Sequence, residues 1–344
     1  MKRIMVVLAT SICVIVMMMG CGSTSSSSNG GTTTSSNETT SKADDKTLVY
    51  LSPSMDILYW QWVEDGVKQA AGEAGYKVVT YDSGNSATEQ ATNAQTAITN
   101  GASGIILSPV SSTSCPAVLD ACEEAGIPCA IAAIGTEDGV DNYTCFASAD
   151  DETSGYDAGK YLIEKASELG SKKIGVIALP MDRTNAQNKM TGLEKAVEES
   201  GAEIMQTIQC ENLTVSEAVS LVNDLLTANP DITGIYCMYE QAGTGAVTAL
   251  ETAGQEGKIA VVSSDGSPES IALVREGKIA GIVVQEAVGQ GIVATEELIK
   301  SLNGEEVVEK IVKTPEPLVT TENIDTQEIQ DILKLVYPAS AGSY

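Results

Sequence analysis

The run VVSSDGSPESIALVREGKIAGIVVQ, residues 261–285, holds two short apolar segments, each ending on a polar side chain: Asp265 after VVSS and Gln285 after GIVV. Between them the apolar spacing predicts a helix over 268–276. A strand–helix–strand run with continuously apolar strands is the pattern of a parallel sheet covered on both faces. In that architecture ligands sit outside the carboxyl ends of the strands, where Asp265 and Gln285 stand. Gly266 follows the acid and permits a tight turn close to a ligand. A carboxylate only accepts, whereas an amide donates and accepts, so the pair suits adjacent hydroxyls. Alone, either residue reads as a turn or a cap. Two of them at successive strand ends favour a site.

The same alternation extends through most of the chain. Strands are predicted at 47–52, 77–82, 104–109, 129–133 and 143–148, with helices over 62–75, 87–101 and 113–125 between them. The pattern restarts with a helix over 154–169. Strands follow at 173–179, 203–210, 234–239, 259–264 and 280–285, separated by helices over 185–200, 216–228, 242–253 and 268–276. A helix over 287–302, an extended stretch near 307–320 and a helix near 325–335 close the chain. The fold class is therefore α/β, with two doubly wound parallel-sheet lobes.

The first twenty residues stand apart. MKRIMVVLATSICVIVMMMG has a basic start, an apolar run and a small residue before Cys21, the form of a secretory signal. Gly20-Cys21 resembles a bacterial lipobox, with Met18 three residues before the cysteine, so Cys21 is the expected lipid-attachment site. A plain membrane anchor is the alternative, and the run is near the lower length limit for one. Residues 21–45, rich in Ser and Thr, read as a solvated tether. Without Lys2 and Arg3 the chain carries 18 basic and 47 acidic residues. That balance argues against nucleic acid and against charge-driven binding to anionic lipid, leaving the lipid as the expected membrane attachment. Cys115, Cys122, Cys129, Cys145, Cys210 and Cys237 form no CxxC pair and the chain has no histidine, so no Cys/His metal site is expected. These cysteines read as buried thiols.

Aromatics are 4% of the chain, yet Tyr59, Trp60 and Trp62 fall within four positions of MDILYWQW, residues 55–62. They follow the first strand, on the ligand edge. Flat rings there can pack against the C–H face of a ring-shaped ligand, and Asp56 could take hydroxyls; core packing is the alternative, above all for Trp62. Lys189, in the first turns of the helix over 185–200, is a candidate donor. Tyr239 and Glu240, after GIYCM, are weaker candidates.

These residues resemble the ribose-type sugar-binding proteins of bacterial ABC importers, the type I periplasmic binding proteins, over nearly all of residues 46–338. DGVKQAAGEAGYKVV, LLTANPDITGIYC, ALETAGQEGKIAVVSSDGSPE and EGKIAGIVVQ carry the likeness. It implies sugar ligands at Asp265 and Gln285 and a pair of stacking aromatics at Tyr59 and Trp60. It places Lys189 where the family has a sugar-contacting arginine, and Tyr239, beside Glu240, where the family has an asparagine. Ala133 and Ile134 stand in place of the family's Asp-Arg pair, and Asn212 and Leu213 near a missing aromatic. Those departures point from ribose towards another pentose or hexose, a modified sugar or a polyol-like compound. The resemblance also implies three crossovers between lobes, near Ser148–Asp150, at Gln285–Glu286 and in TPEP, residues 314–317. The N-terminal lobe is then 46–149 with 286–315, and the C-terminal lobe 150–285 with 316–338.

The reading is an extracytoplasmic, lipid-anchored monomer that captures a small carbohydrate between its lobes and delivers it to an ABC permease, with no cofactor and no chemistry on the ligand. An enzyme would need a nucleophile with its base, or a metal site, and the chain has no histidine, GxSxG or P-loop. A sensory receptor of the same fold, for a sugar-like or nucleoside-like ligand, is the alternative.

Overall fold

Strand β1 (Thr47–Ser52) is buried from Leu48 to its end, and its side chains feed two separate cores. Leu48 and Tyr50 enter one cluster with Ile106 and Ala130, while Val49 and Leu51 enter another with Ile105 and Leu107. Such a strand has no solvent face, which is why it reads as an unbroken apolar run.

The computed structural model describes residues 46–337. The expected signal, the Cys21 lipid site, the tether and the last seven residues lie outside the described residues. Five parallel strands follow the order β2-β1-β3-β4-β5, with β2 at Lys77–Asp82, β3 at Gly104–Leu107, β4 at Cys129–Ala132 and β5 at Phe146–Ala149. The second sheet repeats that order as β7-β6-β8-β9-β10, with β6 at Lys173–Ala178, β7 at Glu203–Gln209, β8 at Gly234–Cys237, β9 at Ala260–Ser264 and β10 at Gly281–Val283. Strand β11 (Ile311–Thr314) extends the first sheet beside β5, in parallel. Strand β12 (Leu318–Thr320) pairs antiparallel with β10 in the second. The stretch expected to be extended near 307–320 thus divides between sheets. Pro315 and Pro317 stand at the division, where a residue without an N–H cannot continue a ladder.

Helices α1 (Leu58–Glu73), α2 (Ala87–Thr99), α3 (Cys115–Ala125) and α9 (Ala287–Leu302) cover the first sheet. The second is covered by α4 (Asp151–Glu168), α5 (Thr184–Ser200), α6 (Val215–Ala228), α7 (Glu240–Thr252) and α8 (Pro268–Arg275). Helix α10 (Gln327–Val336) ends the described chain. The chain therefore passes between sheets at Asp150, at 284–286 and at 315–317. Helix α1 begins four residues before its expected start, because Trp60, Val63 and Val67 form one buried stripe that continues back through the aromatic cluster. The six cysteines are buried and unbridged.

Each lobe contains a helix pair in reciprocal glycine-mediated contact. A Cβ on Gly66 of α1 would overlap the carbonyl of Val288 on α9, and one on Gly291 would overlap that of Val63. In the second lobe Gly155 meets the Lys189 carbonyl and Gly192 the Glu152 carbonyl in the same way. The obstructing atoms are backbone, so a methyl cannot be absorbed by a rotamer change. Gly66→Ala is expected to lower stability by about 1–3 kcal/mol, the scale of an overpacked core. Urea unfolding checks this; wild-type stability would mean that α1 and α9 separate freely.

Candidate functional site

In each sheet the strand order reverses between its first and third strands, the switch point at which this architecture places ligands. The loops after β1 and β6 leave from those points. They carry Ile57, Tyr59 and Trp60 on one side and Leu179, Arg183 and Asn185 on the other, all lining one cavity of about 40 Å³. Leu213, Tyr239, Gln241, Asp265 and Gln285 complete its wall. The first lobe contributes only aromatic and aliphatic side chains. The charged and amide groups come from the second lobe and from the second crossing.

The loops also hold the lobes together. Ser112, after β3, donates its N–H to the Asp182 carbonyl at 2.9 Å, and its hydroxyl accepts from the Thr184 N–H at 2.9 Å. The Gly135 N–H donates to Thr184 Oγ1 at 2.9 Å. These three bonds fasten the segment on either side of Arg183 to the opposite lobe, and Arg183 as a residue is only 5% exposed.

A polar relay runs from the cavity through the crossings. Gln285 donates to Asp265 Oδ1. The Tyr59 hydroxyl lies 2.6 Å from Gln290 Oε1 and 3.0 Å from Gln285 Oε1. Gln290 donates to Thr314 Oγ1, which in turn donates to the Ser148 carbonyl, each at 3.3 Å. Ser148, Gln285 and Thr314 stand at or beside the three crossings, so one hydrogen-bonded chain links all of them to the candidate ligand carboxylate. Asp265 adopts a left-handed backbone, φ 61°, which turns its side chain out of the strand direction. Withdrawal from water pushes its carboxyl up to about 7; Lys189 opposes this, Glu240 and Glu316 add to it, and the Gln285 bond opposes it.

Tyr59, Trp60, Tyr239, Asp265 and Gln285 are brought together on the cavity wall. Tyr59 and Trp60 meet edge to face, 4.8 Å between centroids. Trp62 is instead turned onto Tyr337, 4.8 Å away between ring centroids. Lys189 is a correction to the sequence reading. It is fully buried and off the cavity wall, with Nζ 3.1 Å from Asp151 and 3.6 Å from Glu316. Burial opposes its charge, but Glu316, Asp151 and Asp265 outweigh that and hold the ammonium above its ordinary range. Asp151, beside the first crossing, is pushed up to about 8, chiefly by burial and against the pull of Lys189. Lys189 therefore braces the first and third crossings. Asp56 is exposed and away from the cavity. Glu240 is also off the wall; it acts on Asp265 by charge alone, and burial raises its own carboxyl.

Arg183, Asn185 and Gln241 are the polar wall residues that the sequence reading missed. The available signal was composition: Arg183 and Arg275 are the only arginines after the leader, and Arg183 sits on the ligand edge just after β6. A larger depression, about 440 Å³, lies at the opposite, amino ends of β9 and β10. Its cations already have acids, Lys165 with Glu322 and Lys278 with Glu251 and Glu276, so it offers no unmet polar group of that kind.

The profile of the periplasmic binding protein domain matches residues 48–306. A ribose import binding protein of Salmonella typhimurium is 25% identical over 264 residues, 77% of this chain and 87% of its own length. A D-apiose import binding protein of Actinobacillus succinogenes is 28% identical over 242 residues, 70% of this chain and 74% of its own. Among solved structures, a carbohydrate transporter solute binding protein from Agrobacterium radiobacter, in complex with D-arabinose, superposes with a TM-score of 0.78. It is 20% identical, and the match covers 84% of this chain and 99% of that one. An ABC transporter solute binding protein from Bacillus halodurans with bound myo-inositol gives a TM-score of 0.74 at 25% identity, covering 84% and 99%.

Proposed function

The chain belongs to the periplasmic binding protein domain family, and on that premise we propose that it is an extracytoplasmic receptor that binds a small carbohydrate in the interlobe cavity and presents it to an ABC permease. The observation that carries this is a convergence of unmet polar atoms. Arg183 Nε and Asn185 Oδ1 are buried on one wall without a hydrogen-bond partner among the described residues, while the Tyr239 hydroxyl lies against the Cys210 thiol. Buried polar groups are nearly always paired, because an unmet one costs about 1–3 kcal/mol. Two unmet groups on the wall of one space, a donor and an acceptor beside Asp265 and Gln285, are held for a guest. Tyr59 and Trp60 supply the flat apolar wall against which the C–H face of a sugar ring packs.

The cavity is well below the roughly 300–1,000 Å³ of an ordinary ligand site. Entry of a sugar therefore requires the three bonds at Ser112 and Gly135 to open and the lobes to swing about the crossings. Reclosure would exclude water and strengthen every polar contact to the guest. In this reading residues 46–149 with 286–315 and 150–285 with 316–338 are the moving bodies, the protein acts as a monomer, and Cys21 carries the lipid that holds it at the membrane face.

A thermal-shift panel of pentoses, hexoses, inositols and nucleosides tests the reading. A ligand that binds only the folded form stabilises it by about 2.7 kcal/mol at roughly a hundred times its Kd, so the melting temperature should rise. Trp60 lies on the wall, so tryptophan emission should change as well. A panel in which no compound moves either signal would remove the carbohydrate assignment.

A further inference from the structure

Arg183 is a buried cation without a matching buried acid. Its side chain makes no ion pair and no hydrogen bond among the described residues. Burial lowers the guanidinium's pKa, and the one charge opposing that effect is Asp182, its exposed neighbour in the chain. Lys189, buried in the same lobe, has two carboxylates. The acids around the cavity are committed elsewhere: Asp265 accepts from Gln285 and feels Lys189, Glu240 and Glu316. A guanidinium is charged at any physiological pH and is a fixed fork of donors suited to a carboxylate or phosphate.

The backbone around it has the same sign. Helices α1, α5 and α7 all begin at the cavity, and their N-cap residues Ile57, Arg183 and Tyr239 line it. None of the three is capped by its own side chain, as is also true of α3, α4 and α9, whereas α2, α6, α8 and α10 are capped. Neither α1 nor α5 has an acidic residue in its first turn; α7 has Glu240. Each of these helix starts presents roughly half a positive charge, which favours an anion, although at α5 the Thr184 N–H is already taken by Ser112.

We infer that the guest is an acidic sugar or polyol, whose carboxylate pairs with Arg183 at the start of α5 while its hydroxyls meet Asp265 and Gln285. This rests on the carbohydrate reading above and narrows it. A neutral sugar would satisfy the donors but leave the buried charge without a counter-charge. An acid satisfies both.

The test compares matched pairs on the purified protein at pH 8: D-glucose with D-glucuronate, D-galactose with D-galacturonate, and D-ribose with D-ribonate, by calorimetry and melting temperature. At least one acid should bind roughly tenfold or more tightly than its parent, the scale of one charge-assisted contact. Arg183→Gln should remove that preference, and Arg183→Lys should keep part of it; far-UV dichroism of both variants verifies the fold. Neutral parents binding as well as or better than their acids in every pair would overturn the inference and leave the carbohydrate reading standing. An acid preference that persists in folded Arg183→Gln would overturn the assignment to Arg183. Binding by no member of any pair would overturn the inference and count against the carbohydrate reading as well.

Discussion

Replacing Asp265 by alanine is expected to cost about 1.5–3 kcal/mol of ligand binding, a factor of roughly ten to a hundred and fifty in Kd. The carboxylate lies on the cavity wall, and its Oδ1 already accepts from Gln285. Removing it deletes an acceptor for the guest and also frees the Gln285 amide, which is held by Tyr59 on its other side. Asp265→Asn is the sharper variant. Asparagine tolerates the left-handed backbone at this position, and its amide oxygen can still accept from Gln285. Only the charge and one acceptor are lost. Titration calorimetry on both variants, with the sugar that gives the largest thermal shift, measures the effect. Wild-type affinity in folded Asp265→Asn would reduce the acid to a turn residue.

The same group sets a pH dependence. Its carboxyl is pushed up to about 7, so it is largely protonated at pH 6 and ionised at pH 8. A guest that donates hydroxyls to it prefers the ionised form, so binding releases a proton. Affinity is expected to rise with pH through about 7 and then level off. Asp265→Asn should lose that slope.

Lys189→Met is expected to destabilise the fold by about 3–5 kcal/mol, the cost of leaving a buried charge without its partner. Methionine fills similar space, so the loss is electrostatic rather than a cavity effect. Asp151 and Glu316 would remain buried with no cation, one beside the first crossing and the other inside the third. Asp151, already pushed up to about 8, would hold its proton still longer in the folded variant. The unfolded chain ionises near 4. The folded form then binds more protons than the unfolded one, so variant stability falls as pH rises above about 4. Wild-type Asp151 already holds its proton up to about 8, so both proteins lose stability together between pH 5 and pH 8 and the deficit should stay nearly constant, as read by urea unfolding at both. A loss below about 1 kcal/mol at both values, the scale of an exposed pair, would show that the triad does not brace the crossings.

How much of this was legible differed from residue to residue. Asp265 and Gln285 could be read because each ends an apolar strand, and a parallel sheet places strand ends on one edge. Tyr59 and Trp60 could be read from their local density in a chain with few aromatics. Lys189 was misplaced because sequence position gives the helix turn but not which way the side chain is directed; α5 turns it inward to acids 38 positions before and 127 positions after it in the chain. Arg183 lay in an ordinary polar turn, DRTN, and nothing local marks it as buried. The bonds that fix its neighbours Asp182 and Thr184 come from Ser112 and Gly135, which belong to the other lobe.

The period of apolar residues alone determined two α/β lobes and the edge on which ligands meet them, since strand alternation and helix spacing are local properties of the chain. The closing of one lobe on the other decided the rest: which cation is spent on acids at the crossings and which is left facing the cavity. That choice depends on charges far apart in sequence coming within a few ångströms, which only the folded chain arranges.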